Sequence, residues 1–341
     1  MNKLRTIDTH THILTNETMR LLAKEVAKLA PALSEDDGEH SKLTVAGVAY
    51  TPFPKGGWDI ERRLKDMDAA DVDVHVLSAT PQTYYYDQEA AAGVALSAIQ
   101  NDQIAKHVKD LPERFIGIGT LPMQAPEQAA AELRRIVRDK GLRGAMIGSN
   151  CHGKNLDDPS FEPLWAAASE LDALLFIHPA GVAGQDRLKP YYLKNLIGNP
   201  LDTTIAAACL VFGGVLERYP NLSFIMAHGG GFTPYQGARW VHGHAVRDEP
   251  QVNIKGSVQA SLDKLLYDTI LHSKTHLESM IEWVGASRVF MGSDYPYDMG
   301  MLDCVRHVRS LDISDADKNS IINGNAEKLL AKPKARSRVA A

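Results

Sequence analysis

Short apolar runs recur along the chain, each too brief for a buried helix and each followed by a stretch in which apolar residues return at helical spacing. The runs predict strands over Thr6–His12, Val74–Ser78, Phe115–Thr120, Gly144–Gly148, Leu174–His178, Ser223–His228, Leu265–Thr269 and Val289–Ser293. The intervening stretches predict helices near Ile60–Ala70, Glu89–Lys109, Ala125–Lys140, Phe161–Glu170, Thr203–Arg218, Thr233–Ala245 and Ser273–Val284, with Met301–Arg309 and Asp315–Asn323 after the last strand. Gly141, Gly213 and Gly285 fall near helix ends, and Pro112 and Pro220 just before strands, where residues that interrupt helices belong. Strand and helix in strict alternation imply a parallel sheet, and eight such strands close naturally into an α/β barrel, the (β/α)8 TIM barrel. The competing doubly wound open sheet would show GxGxxG after an early strand, and this chain has none there.

One segment breaks the rhythm. Residues 30–57 (Ala30–Gly57), rich in Pro, Gly and charge, follow the first strand. A long loop at the C-terminal end of a barrel strand is expected to form active-site rim, as a lid or a substrate wall. Residues 1–331 read as a single domain and 332–341, basic then small, as a flexible tail.

Composition narrows the partners. With 341 residues and 44% hydrophobic content the chain can build a large core, and a formal charge of -5 is too mild to attract nucleic acid or a membrane surface. The opening residues lack the apolar region of a secretory signal, and no run approaches the roughly 18 apolar residues of a membrane span. Cys151, Cys209 and Cys304 are scattered and odd in number, as expected of reduced cysteines in a cytoplasmic protein. The expected partner is a small molecule.

Candidate chemistry sits at predicted strand ends. Asp8-Thr9-His10-Thr11-His12 closes the first strand, and side chains two apart on a strand share a face, so His10 and His12 can grip one metal. LLFIHP ends in His178, SFIMAHGGG in His228, and VFMGSDYP runs out into Asp294. A buried structural His or Asp at any one of these positions would be ordinary. Ligand-type residues at four strand ends of one barrel face, where such folds gather their catalytic groups, are not explained that way. The glycines of HGGG allow close backbone approach and free N–H groups for an anion, or form a tight turn; both can hold. Trp58 and several tyrosines could wall an aromatic pocket, although most barrel aromatics are packing.

These motifs resemble the amidohydrolase superfamily. DTHTH, the HP after strand five, HGGG and GSDYP are similar to the branch that contains amino-carboxymuconate-semialdehyde decarboxylase and related aromatic-acid decarboxylases, from Ile7 to Ala326. The resemblance implies that His10, His12, His178 and Asp294 hold one divalent metal and that His228 either supports the ligands from behind or serves directly as a catalytic base. Three imidazoles and a carboxylate suit zinc, with manganese as the alternative. Binuclear relatives recruit a lysine from strand four, and Gly144–Gly148 has none, so one metal is expected. The resemblance further implies that Arg239 reaches a substrate carboxylate, often in a neighbouring subunit, hence a homodimer, and that Tyr191 lies where the family places an aromatic pocket residue. One departure is plain: the family's carboxylate-binding arginine in the loop after strand one has no counterpart in Gly47–Phe53. A less charged ring, suited to Tyr50, Phe53 and Trp58, is therefore expected. The implied activity is non-oxidative decarboxylation of an aromatic or unsaturated carboxylic acid, with His228 and Asp294 managing the proton. The alternative is a metal-dependent hydrolase or hydratase, acting on a lactone or keto-diacid through metal-bound hydroxide.

Overall fold

The computed structural model describes residues 4–331, so the expected tail at 332–341 lies outside the described residues. Eight parallel strands form the barrel: β1 (Ile7–Ile13), β2 (Val74–Ala79), β3 (Phe115–Gly117), β4 (Gly144–Gly148), β5 (Leu174–His178), β6 (Ser223–Met226), β7 (Leu265–Asp268) and β8 (Val289–Phe290). Regular ladders join β1 to β2 to β3, and β4 through β8 in sequence. Backbone bonds outside those ladders close the two gaps. Gly119 N–H donates to Gly144 O and Met146 N–H to Gly119 O, both at 2.8 Å, between β3 and β4. Across the β8–β1 seam, Thr9 N–H reaches Met291 O at 2.9 Å, Asp294 N–H reaches His10 O at 2.8 Å and His12 N–H reaches Tyr295 O at 2.7 Å.

Parallel strands covered on both faces must be apolar on both, which is why each reads as a nearly unbroken hydrophobic run. Leu174, Leu175, Phe176 and Ile177 are all buried, and one hydrophobic cluster takes residues from all eight strands. The covering helices are α1 (Ile60–Ala69), α2 (Ala90–Asp110), α3 (Pro126–Arg138), α4 (Glu162–Leu171), α5 (Asn199–Phe212), α6 (Thr233–Val246), α7 (Lys274–Val284) and α8 (Cys304–Arg309). In α3 the buried Ala129, Ala130, Leu133 and Ile136 make one stripe, and Pro126 starts the helix where its missing N–H costs nothing. Asp59 and Ser273 cap α1 and α7 by accepting from the N–H groups of Arg62 and His276.

Several expectations shift. Residues 30–57 are not bare loop: Ala32–Ser34, His40–Val45 and Val48–Pro54 pair as a three-stranded antiparallel sheet, preceded by a helix over Asn16–Glu25. This insert has its own small core of Leu22, Leu43, Phe53 and Trp58, which is what stabilises it beside the barrel. The expected helix Thr203–Arg218 begins earlier, at Asn199, and breaks at Gly213–Gly214, where Gly214 takes a φ of 71°. β6 stops at Met226, short of His228, for a reason given below. Among the described residues no helix is long and apolar enough to cross a membrane.

Candidate metal centre

The site is built on the C-terminal ends of β1 and β5 and the residues just past β8. Plain alternation would set Asp8, His10 and His12 on one face, but the β1–β2 register shifts between Asp8 and Thr11. Asp8 folds back to accept from His10 N–H at 3.1 Å and, across the seam, from Ser293 N–H at 3.0 Å and the Ser293 hydroxyl. That leaves His10 and His12 facing His178 and Asp294. Each of the four offers one ligand atom, and these atoms lie within 4.8 Å of one another in a buried cluster. Asp294 Oδ1 is 3.0 Å from His12 Nε2, 3.3 Å from His10 Nε2 and 4.0 Å from His178 Nε2.

The surroundings of each ring fix its tautomer. His10 Nδ1 meets the Asp268 carboxylate at 2.7 Å, His12 Nδ1 meets Ala79 O at 3.3 Å and His178 Nδ1 meets Pro179 O at 3.1 Å. An oxygen acceptor at Nδ1 requires a proton there, so each of the three rings, when neutral, presents an Nε2 lone pair to the cluster. His10 and His12 Nε2 face each other at 3.2 Å, and the buried His178 Nε2 has no hydrogen-bond partner. Converging lone pairs and a carboxylate oxygen repel unless a cation sits among them. The donor set therefore fits one divalent metal, with three nitrogens and one oxygen.

The electrostatics agree. Burial pushes the His10 imidazole down, but the Asp294 and Asp268 carboxylates outweigh it and lift the group to about 10. Burial also works against ionised Asp294, yet the positive charge on His10 and the neighbouring His12 and His228 rings hold it well below the usual carboxylate range. Burial and the neighbouring imidazoles keep His178 neutral. In the protein alone a proton on His10 supplies the positive charge this cluster demands.

Asp268 does more than orient His10. Its Oδ2 also accepts from His228 N–H at 2.9 Å, and its Oδ1 from Gly229 N–H at 2.7 Å and Ile270 N–H at 3.1 Å. These bonds draw the chain after Met226 into a left-handed turn, with His228 at φ 56°, which is why the strand ends early. At Gly231 a Cβ would stand 2.1 Å from Pro200 O, so only glycine fits. The turn brings His228 Nε2 to 3.4 Å from Asp294 Oδ2. Asp294 thus spans the metal cluster through one oxygen and His228 through the other.

Arg63 is a support that the sequence motifs do not single out. It is fully buried on α1, donates to Gly56 O at 3.2 Å and to His12 O, and lies 4.7 Å from the Tyr295 ring centre. It braces the backbone on both sides of the cluster. Its spacing four residues before buried Met67 was the available signal.

Two cavities, of about 430 and 310 Å³, open on His228 and Asp294. A separate cavity of about 660 Å³ between α1 and α8 touches none of the four ligand residues. Of Arg239, Tyr191 and Trp58, expected to bind substrate, none lines the two cavities. Trp58 is buried and stacked on Phe53 at 5.5 Å, inside the insert's core. Tyr191 is 85% exposed, while its neighbour Tyr192 lines the smaller cavity together with Tyr50. Arg239 is exposed on α6. His272 and His276, which no sequence motif singled out, line the larger cavity.

A family model described as amidohydrolase matches residues 7–332. The chain belongs to the amidohydrolase family. Among this amidohydrolase's relatives, 2-amino-3-carboxymuconate-6-semialdehyde decarboxylase of Dictyostelium discoideum is 35% identical, over 95% of this chain and 91% of that protein. Two solved structures are similar throughout. The 5-carboxyvanillate decarboxylase of Sphingomonas paucimobilis superposes with TM-score 0.82 at 25% identity, covering 97% of this chain and all (100%) of that one. The enzyme of the same name from Novosphingobium aromaticivorans, complexed with manganese and 4-hydroxy-3-methoxy-5-nitrobenzoic acid, superposes with TM-score 0.81 at 25% identity, covering 96% of each chain.

Proposed function

We propose that this amidohydrolase is a metal-dependent carboxy-lyase that removes carbon dioxide, without oxidation, from an aromatic or unsaturated carboxylic acid. The supporting observation is the shared carboxylate of Asp294, with Oδ1 among the ligand atoms and Oδ2 3.4 Å from His228 Nε2. Decarboxylation leaves the bonding electron pair on carbon, so the site must withdraw charge from the acid and deliver one proton to that carbon. A divalent cation held by His10, His12, His178 and Asp294, zinc before manganese, would supply Lewis-acid polarisation of the carboxylate and an adjacent oxygen. The chain's own groups handle the proton. Asp294 Oδ2 and His228 Nε2 share it, pass it to the carbon as carbon dioxide leaves, and regain it from solvent through His228, whose side chain is 17% exposed. Arg239, exposed and lining neither cavity of its own chain, would orient the acid in the site of a second copy, which makes the working form a homodimer.

The test is a panel of hydroxybenzoates and muconate-like acids incubated with zinc- or manganese-loaded protein. Carbon dioxide release with solvent hydrogen on the vacated carbon is the expected result. Heavy oxygen from labelled water appearing in the product, with no carbon dioxide, would assign the site to hydrolysis or hydration instead.

A further inference from the structure

The two cavities at the metal centre share Asn195, Asn199, His228, Asp294 and Met299, and together they form one bent cleft. The larger limb is lined by Tyr235, Ile270 and Leu271 among others and carries no lysine or arginine. The smaller limb passes His178 towards Tyr50 and Tyr192, and Lys194 stands in its wall. Lys194 is the one lysine or arginine lining either limb, and among the described residues it has no ion-pair or hydrogen-bond partner. Lys194 is exposed and opens the turn Lys194–Gly198 that leads into α5, so the helix fixes where its backbone, though not its flexible stem, stands. An unpaired ammonium in solvent is commonplace. One in the wall of a cleft that ends on a metal centre is placed to meet a ligand's charge.

We propose that Lys194 binds a second anionic group of the substrate, a carboxylate remote from the one that is lost, so that the chain acts on a dicarboxylic acid. This rests on the decarboxylase reading and departs from the expectation of a less charged ring. That expectation followed from the missing arginine in Gly47–Phe53, but here the cation comes from the segment after β5. A flexible four-carbon stem with a point charge tolerates a carboxylate at varied angles, so the site selects charge at a distance rather than one fixed geometry. The obvious competitor is Asp298 in the same limb, which could hold the lysine through solvent and give it a purely structural role.

Binding of non-reacting acids separates these roles. Isothermal titration would measure isophthalate, terephthalate and benzoate against zinc-loaded wild type, Lys194→Met, Lys194→Arg and Asp298→Asn. At least one diacid should bind wild type more tightly than benzoate. Lys194→Met should weaken that diacid about tenfold, between the few-fold loss of an exposed ion pair and the roughly hundredfold loss of a desolvated charged hydrogen bond. Benzoate should not change, Lys194→Arg should restore most of the loss, and Asp298→Asn should tighten the diacid by removing a like charge. The proposal is overturned if wild type does not prefer a diacid, if Lys194→Met weakens benzoate equally or nothing at all, or if Asp298→Asn weakens the diacid as Lys194→Met does. Carbon dioxide release plays no part in these titrations, so failure of the decarboxylase reading would show separately in the activity panel.

Discussion

Replacing Asp268 by asparagine probes the centre without touching a ligand. Both carboxylate oxygens act purely as acceptors: Oδ2 from His10 Nδ1 and His228 N–H, Oδ1 from Gly229 and Ile270 N–H. An amide keeps one acceptor and turns the other position into a donor. If its NH2 faces Gly229 and Ile270, two donors oppose a donor and the turn carrying His228 loosens. If it faces His10, that ring must move its proton from Nδ1 to Nε2, covering the lone pair that faces His12 at 3.2 Å. Either arrangement also removes a negative charge 2.7 Å from the His10 ring. Losing such a support typically weakens metal affinity 10- to 100-fold, or about 1.4 to 2.8 kcal/mol. Apo-protein titrated with zinc against a competing chelator dye gives the constant, and a thermal melt verifies that the variant is folded. A folded variant whose zinc affinity stays within about threefold of wild type would refute the assigned tautomers and the role of Asp268.

Further outcomes follow from the same geometry. His178→Ala and Asp294→Asn should each lose metal and activity together, measured by metal analysis and turnover on one preparation. His228→Ala should keep most of its metal yet lose turnover by about 10²-fold or more, since general acid–base groups contribute on that scale; complete metal loss would make His228 a ligand. Because His10 in the protein alone is lifted from 6.5 to about 10, metal must displace its proton, so affinity should fall about tenfold per unit as pH drops from about 10 towards 6.5. By the same sign, the stability that this raised group lends the apo-protein is complete below about pH 6.5 and disappears as pH rises through about 10, which a series of melts would show. Arg239→Ala should raise KM, and mixing it with His178→Ala protein should restore some activity if Arg239 serves a second copy.

The barrel was legible because strands buried on both faces leave apolar runs such as Leu174–Ile177 with little else to do. The clustering of His10, His12, His178 and Asp294 was legible because each sits at or just past a strand end, where position along the chain predicts position in the fold. What was illegible depended on partners far away in sequence. HGGG reads as a strand terminus until Asp268, forty residues later (228 to 268), gathers its N–H groups into a turn. Trp58 carries the same apolar signature whether it lines a cleft or stacks on Phe53 in the insert. The small sheet of the insert escaped notice because its strands are half exposed and polar, so their alternation is faint. Arg63 and Lys194 are single basic residues, and only burial for the one and a cavity wall for the other set them apart.

The metal centre lies where the barrel is least regular, and this has a physical reason. β8 keeps only two residues in its regular ladder before the chain leaves it, and the seam with β1 relies on three backbone bonds and the Asp8 carboxylate. A regular strand would have carried Asp294 past the cluster with its side chain alternating in or out. Instead Asp294 takes a φ of 60°, and His228 takes 56°. Such left-handed conformations cost a non-glycine residue about 1–2 kcal/mol each. They persist because their N–H groups are held, Asp294 by His10 O at 2.8 Å and His228 by Asp268 at 2.9 Å. These two are among eleven non-glycine residues with positive φ among the described residues, and they are the pair proposed to share the proton. Glycine would relieve both positions and remove both side chains, so under the proposed function the strain is the cost of holding a carboxylate between the ligand cluster and His228.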